Sequence, residues 1–386
     1  MFRIAVLVLL FLIQLGCQAA SVVESGHDFS AVDAAMAEAI AKKRISGGVT
    51  LIMHEGKRVH LGVTGHADIV AEKPMKADSI FWIASMTKPI TATAVLMLQD
   101  AGKLSVDDPV SKYLPEFKDV TLKDGSAATI RIRDLMTHTA GIGKPKNRAA
   151  ALADQAKDVA GQPLSWKPAT KWQYSQGLNV CGRIIEVVTG EPYDVYLKKT
   201  IFDPLGMEDT SFFPTPAQGP RIVLTYVPSK DKKGIVPSDE ERLVEPPKTK
   251  PVPNPSGGLF STAADVATFY QMVLAGGVHK GKRIVSQGAV KRMTTRQTAD
   301  DVVTGFTPGN GWGLGWCVVR KPQGVSAALS PGSFGHGGAF GTQVWCDPVT
   351  KTIYLLMIQR ARFGNSDASE IRGRFQDLAK AALQSP

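Results

Sequence analysis

A serine and a lysine three positions apart, Ser85 and Lys88, stand in the apolar segment FWIASMTKPITATAVLMLQDAGKL, residues 81–104. Positions i and i+3 share a helix face, and Pro89 is tolerated only near a helix start, so the sequence predicts Ser85 close to a helix N-terminus. Unpaired N–H groups there can hold a developing oxyanion. A serine hydroxyl needs a nearby base to become nucleophilic, and a desolvated lysine can be that base. The pattern therefore favours nucleophilic catalysis by Ser85.

The same spacing occurs a second time, at Ser229 and Lys232, so the bare pattern is weak evidence. The second copy lies in PSKDKKGIVPSDEERLVEPPKTKPVPNP, residues 228–255, which is rich in proline and charge. We predict a loop there, in which no helix would align the two side chains. Ser229 is therefore interpreted as a chance match.

Two further groups of residues have the right chemistry to join Ser85. Tyr174 comes just before a predicted helix, GLNVCGRIIEVVTG, and His336-Gly337-Gly338 comes just before a predicted strand. Glycines at that place let a substrate lie against the strand edge, and the N–H of Ala339 can be a second oxyanion donor.

In chain order, S-x-x-K, Y-S-x and H-G-G resemble the motifs of the serine hydrolases built on the class C β-lactamase and penicillin-binding protein fold. Supporting stretches are FWIASMTKPIT, IRDLMTHTAGI, WQYS, NPSGGLFSTAADVATF and GHGGAFGT, and the resemblance covers nearly all of the chain beyond its N-terminal apolar run. It implies Ser85 as the acylated nucleophile, Lys88 as its proton acceptor, Tyr174 as partner base and acid, and no cofactor or metal. The alternative triad fold is disfavoured because the chain has no G-x-S-x-G elbow.

The second and third motifs depart from the lactamase and peptidase form. Gln176 stands where those enzymes have an asparagine that holds a substrate amide, and His336 stands where a lysine meets the substrate carboxylate. Histidine is mostly neutral at pH 7 at its ordinary pKa. The combination is similar to the family VIII carboxylesterases, which favours an ester substrate. A β-lactamase or D-amino-acid peptidase, and a catalytically silent envelope-binding protein, are the alternatives.

Composition places the chain among ordinary globular proteins. It has 386 residues, 44% of them apolar and 21% charged, with a net charge of +10. The basic residues are spread along the chain and do not form the cluster typical of a nucleic-acid-binding face, so we expect no nucleic-acid partner. The resemblance to serine hydrolases implies a small-molecule ester or amide as the partner. Cys317 and Cys346 each follow a tryptophan in a strand-like run, and spacing alone leaves open whether they pair.

The first residues, MFRIAVLVLLFLIQLGCQAAS, predict a secretory signal peptide over residues 1–20, since a positive charge precedes a short apolar run and small residues. We therefore expect a periplasmic or extracellular protein. The stretch LGCQ also suggests lipid attachment, and thereby membrane attachment, through Cys17, whereas Gln14 stands where the common lipoprotein signal has an apolar residue. The sequence leaves open whether Cys17 carries a lipid.

Periodicity predicts an α+β fold. A helix over residues 29–44 and a two-strand hairpin at one end are matched by strands and a helix at the other end. We expect one antiparallel sheet made from residues 27–103 and 255–386 and covered by the terminal helices. Residues 104–254 form a mainly helical part of the same hydrolase domain, with the active site in the cleft between the two parts.

Overall fold

The computed structural model describes residues 26–148, 150–238, 252–363 and 368–385, so the predicted signal peptide and Cys17 lie outside the described residues. The helices are α1 Ser30–Ala41, α2 Thr87–Asp100, α3 Ile132–Met136, α4 Leu152–Ala160, α5 Gly177–Thr189, α6 Tyr193–Leu197, α7 Asp203–Leu205, α8 Ala263–Leu274, α9 Gln287–Thr294 and α10 Glu370–Gln384. The strands are β1 Gly47–His54, β2 Lys57–Asp68, β3 Lys73–Pro74, β4 Phe81–Trp82, β5 Tyr226–Pro228, β6 Ile235–Pro237, β7 Phe260–Ser261, β8 Val278–His279, β9 Lys282–Arg283, β10 Asn310–Trp312, β11 Cys317–Val319, β12 Phe334–Gly337, β13 Gln343–Asp347 and β14 Thr352–Met357.

The main sheet joins strands from both ends of the chain. Its order is β10-β11-β12-β13-β14-β1-β2-β3, and each neighbouring pair is antiparallel. Strands β1 and β2 form a hairpin whose turn residues, Glu55 and Gly56, have φ of 49° and 81°. In the centre of the sheet Val49 of β1 pairs with Met357 of β14. The predicted α+β fold with one antiparallel sheet from both termini is confirmed.

Both faces of this sheet are covered by helices. Side chains of β14 alternate, so that Ile353 and Leu355 join the core that contains α8, while Tyr354 and Leu356 join the core that contains α1 and α10. The ring of Tyr354 meets that of Phe375 in α10 edge to face. A strand buried on both faces needs a continuous apolar run, which is what TIYLLM supplies.

Helix α2 lies inside the molecule, against α5 and α9, and is buried on nearly all sides. A short 3₁₀ turn, Ala84–Met86, leads into it, so Ser85 lies just before the helix starts, as predicted. Helix α5 ends at Gly190 with φ of 73°, also as predicted. Helix α3, in the stretch IRDLMTHTAGI, ends at Met136.

The structure adds three details to the strands that the sequence indicated. The third motif precedes a strand, β13, as predicted, and its residues His336 and Gly337 are also the last two residues of β12. The run GWGLGWCVV forms two strands, β10 and β11, because residues 313–316 turn the chain. The first part of the expected loop 228–255 is a small β5–β6 hairpin, and the half-buried Ser229 in its turn donates a hydrogen bond to Asp231. Residues 239–251 lie outside the described part.

Cys317 and Cys346 are both buried, and neither is in a disulfide with another described residue. They lie on β11 and β13, with β12 between those strands, and their side chains enter the cores on opposite faces of the sheet. Because the two side chains lie on opposite faces of the sheet, Cys317 and Cys346 do not form a disulfide with each other. Within the described residues no helix is long and apolar enough to cross a membrane, and no group of three or more His, Cys, Asp or Glu side chains is placed to hold a metal ion.

Candidate active site

Ser85 and Lys88 meet at the start of α2. The Lys88 ammonium donates a hydrogen bond to the Ser85 hydroxyl over 3.1 Å, and Lys88 is 2% exposed whereas Ser85 is partly open. Ala84, directly before the serine, has φ of 45°, an uncommon conformation for a residue with a β-carbon. Thr87 holds this turn by donating from its hydroxyl to the Ala84 carbonyl. Strained backbone of this kind clusters at functional sites.

A loop between the two parts of the chain fixes Lys88 from the other side. The carbonyl of Ser256 accepts a 2.6 Å hydrogen bond from the Lys88 ammonium. The Ser256 N–H in turn donates to the Oδ1 of Asn179 in α5, and one residue earlier the Pro255 carbonyl accepts from the Thr91 hydroxyl of α2. The stretch NPSGG is part of the family resemblance, but the sequence alone indicates no role for it. The structure gives it one, namely to present a backbone carbonyl to the lysine.

Tyr174 lies across from the Ser85–Lys88 pair. The Lys88 nitrogen is 4.5 Å from the centroid of the Tyr174 ring, and the phenol oxygen is 3.5 Å from Nε2 of His336, at the outer limit of a hydrogen bond. Nδ1 of His336 is 2.7 Å from the Gly337 carbonyl, which can only accept, so Nδ1 carries the ring proton and Nε2 faces the phenol as an acceptor. Four predicted residues thus lie together.

Burial controls the charge of His336. The residue is 1% exposed, and burial, reinforced by the positive charge of Lys88 and opposed by the hydrogen bond to Gly337, lowers the pKa of His336 to about 3. The sequence indicated a histidine that is mostly neutral at pH 7. The structure extends this to a histidine that is neutral throughout the physiological range.

Gly338 brings the end of β12 against the serine turn. A β-carbon at this position would lie 2.6 Å from the carbonyl oxygen of Ile83, two residues before Ser85, so only glycine allows the approach. Ala339 follows it and is exposed. The backbone after β12 and the backbone of the serine turn therefore border the same space.

Gln176 is placed differently from the other predicted site residues. It precedes the first turn of α5, and its side-chain oxygen is buried. Together with Gln155 and Asn179 it lines a small cavity beneath α4 and α5. A contact between Gln176 and substrate stays a prediction.

His138 is a residue that the sequence analysis did not select. It lies in the supporting stretch IRDLMTHTAGI, is 1% exposed, and its ring centroid is 4.5 Å from that of Tyr174. Trp172, Phe306 and Trp312 complete an aromatic group around Tyr174, with centroids within 6.3 Å of its ring. The available sequence signal was a histidine in one of the quoted stretches, but Tyr174, which it contacts, is distant in sequence.

Fold and site together define a class of protein. An antiparallel sheet enclosed by helices, with a Ser–Lys pair at the start of a buried central helix and a tyrosine facing it, is the architecture of serine hydrolases of the β-lactamase and penicillin-binding protein fold. The family model described as Beta-lactamase matches residues 32–379. The chain belongs to the beta-lactamase family.

Known proteins similar to this chain have several activities. Esterase EstB from Burkholderia gladioli is 30% identical over 368 residues, which cover 87% of this chain and 91% of EstB. A putative D-alanyl-D-alanine carboxypeptidase from Escherichia coli K12 is 30% identical over 339 residues, 80% of this chain and 76% of the relative. The solved structure of EstCE1, a hydrolase with promiscuous acyltransferase activity, has a TM-score of 0.79 at 24% identity and covers 91% of this chain and 98% of EstCE1. Family membership therefore supports a serine hydrolase, whereas the substrate has to be inferred from the residues of the site.

Proposed function

We propose that this protein hydrolyses carboxylic esters through a covalent acyl-enzyme on Ser85. The observation that carries the choice of an ester is His336, a buried and neutral side chain at the third motif. A carboxylate-bearing β-lactam or peptide needs a cationic partner, and a neutral imidazole supplies none. A neutral ester has no such need. The 30% identity to EstB, which is named an esterase, supports the same choice.

The proposed chemistry uses three side chains. As the Ser85 oxygen attacks the ester carbonyl, its proton passes to the amine form of Lys88, 3.1 Å away. The ester C–O bond then breaks, and the leaving alkoxide takes a proton from Tyr174, which regains one from the Lys88 ammonium above its ring. Water attacks the acyl-enzyme with the same groups acting in reverse, and free acid and serine result.

The developing oxyanion lies, in this proposal, between two backbone N–H groups, those of Ser85 and Ala339. Ser85 belongs to the turn that leads into α2, where the helix dipole is positive, and the close approach at Gly338 brings the second group near. Removing one such donor typically costs ~10²- to 10³-fold in kcat. Gly337 and Gly338 leave the substrate room beside the strand end.

A substrate panel tests the proposal. We expect kcat/KM for a short-chain aryl ester to exceed that for a chromogenic cephalosporin by at least ~10²-fold, the size of one charged contact. A D-Ala-D-Ala peptide completes the panel. A preference for the cephalosporin or the peptide would refute the ester assignment and favour the lactamase or peptidase alternative.

A reactive-serine probe tests the nucleophile in parallel. A fluorophosphonate should label Ser85, and Ser85→Ala should lose both label and turnover. Ser229→Ala, which alters the second S-x-x-K, is the matched control and should keep both. Absence of label and turnover in the wild type would favour a silent envelope-binding protein.

We also propose that the protein is exported, on the strength of the N-terminal pattern of charge, apolar run and small residues. The mass of the protein recovered from the periplasm or medium measures whether the first twenty or so residues are removed. Palmitate labelling that is lost in Cys17→Ser would show that Cys17 carries a lipid anchor. Recovery of the full-length chain in the cytoplasm alone would contradict export.

A further inference from the structure

His138 is a buried histidine beside Tyr174 to which the proposed chemistry gives no bond-making role. Its ring contacts that of Tyr174 with centroids 4.5 Å apart and planes at 40°. It follows α3 with φ of 62°, a left-handed conformation that is unfavourable for most residues with a side chain. Such a conformation persists only where the surroundings hold it, so the contacts of His138 are informative.

These contacts form a clamp on the backbone around Tyr174. The N–H of Gln173, one residue before the tyrosine, donates to the His138 carbonyl over 3.0 Å. The N–H of Ser175, one residue after it, donates to the His138 ring nitrogen Nδ1 over 3.1 Å. Residues 171–176 lie in neither a helix nor a strand, so a hydrogen-bond ladder does not fix them. One residue thus holds the chain on both sides of the phenol.

The clamp requires a neutral ring. A backbone N–H can only donate, so Nδ1 of His138 is unprotonated and the neutral ring carries its proton on Nε2. The Ser175 hydroxyl oxygen lies 3.2 Å from Nδ1 and accepts a 3.3 Å hydrogen bond from the N–H of Gly177, so it links the ring to the first turn of α5. Burial lowers the pKa of His138 well below its usual value, and the positive charge of Lys88 acts in the same direction.

We infer that His138 is a positioning residue that clamps the backbone on both sides of Tyr174 and so aims the phenol at the Lys88–His336 side of the site. The inference rests on the proposed function, because it concerns the proton transfer assigned to Tyr174. Displacing a reacting group by about 1 Å can cost ~10²-fold in rate. Loss of the clamp should therefore lower kcat and leave KM almost unchanged, since His138 is buried and acts on Tyr174 rather than on the substrate.

Two substitutions of similar size separate the effect of losing the Nδ1 acceptor from the effect of changing the side-chain volume. His138→Leu removes the Nδ1 acceptor and keeps the carbonyl, whereas His138→Asn places an amide oxygen near the Nδ1 position. We expect His138→Leu to lose at least ~10-fold in kcat for an aryl ester and His138→Asn to stay within ~3-fold of the wild type. Wild-type kcat in His138→Leu would overturn the inference.

A double-mutant cycle distinguishes positioning from a general structural defect. In a Tyr174→Phe background His138→Leu should change kcat by less than ~2-fold, because the clamp then has no proton-transferring phenol to aim. An equal loss in both backgrounds means a structural defect and overturns the inference. The proposed function fails separately, if the wild type does not cleave esters or if Tyr174→Phe keeps wild-type kcat.

A measurement on the wild type covers the case in which His138→Leu does not fold. Long-range ¹⁵N spectra of histidine-labelled protein assign His138 as the signal that His138→Asn lacks. At pH 7 this signal should show a neutral ring protonated at Nε2. A ring protonated at Nδ1, or an imidazolium, could not accept the Ser175 N–H and would overturn the clamp.

Discussion

Acid should destabilise this protein through its buried histidines, and His336 gives the sharpest test. The pKa of His336 is about 3 in the folded protein, against an ordinary value near 6.5 in an unfolded chain. Between these pH values the unfolded state binds more protons at this residue than the folded state. Stability therefore rises with pH across the window and falls on acidification, by ~1.4 kcal/mol per pH unit for one such group. From pH 6 to pH 4 the loss from His336 is about 2 to 3 kcal/mol.

The perturbation is His336→Gln, and the quantity compared is the slope of unfolding free energy against pH. Urea unfolding followed by tryptophan fluorescence at pH 7, 6, 5 and 4 gives that slope. The variant should have a slope smaller by ~1.4 kcal/mol per pH unit over the lower part of the range. Some slope persists, because burial also lowers the pKa of His138. His66→Gln, at an exposed histidine of β2, controls for the loss of any histidine. Equal slopes in His336→Gln and the wild type would refute a buried, neutral His336.

Three further outcomes are expected. Lys88→Met and Tyr174→Phe should each lower kcat for an aryl ester by at least ~10²-fold, and the double variant should be little worse than the poorer single one; losses that simply multiply would mean independent roles. Gly338→Ala should destabilise the fold by about 1 to 3 kcal/mol in urea, because its β-carbon would lie 2.6 Å from the Ile83 carbonyl oxygen, and unchanged stability would contradict that approach. Asn179→Leu removes one of the hydrogen bonds that hold the loop over Lys88 and should cost about 1 to 3 kcal/mol on the same assay, with a matching loss of kcat if the loop positions the lysine.

The sheet and the serine turn were predictable because their signals are local. Strand β1 and the Glu55-Gly56 turn follow from β-branched residues and turn chemistry within about ten positions. The start of α2 follows from Pro89, and the cap of α8 from the Thr262 hydroxyl, which accepts from the Asp265 N–H. Each of these features depends on neighbours in sequence.

The parts that were missed depend on contacts between distant segments. The His138 clamp joins residues more than thirty positions apart, and the carbonyl that meets Lys88 belongs to Ser256. The pKa of His336 depends on burial by several strands and helices, which no local pattern contains. For the same reason the sequence left the Cys317–Cys346 question open, since only the sheet order shows that β12 separates them.

The pairing of Val49 in β1 with Met357 in β14 has a consequence for the newly made chain. Ribosomes add about 5 to 20 residues per second, so about 15 to 60 s pass between the synthesis of β1 and that of β14, its second neighbour in the sheet. During that interval one edge of an apolar strand is open to other chains, which invites aggregation. Strand β12, which carries His336, joins β1 only through β13 and β14. A nascent chain that already contains Ser85 should therefore have no hydrolase activity, and should depend on chaperones, until β14 has been synthesised.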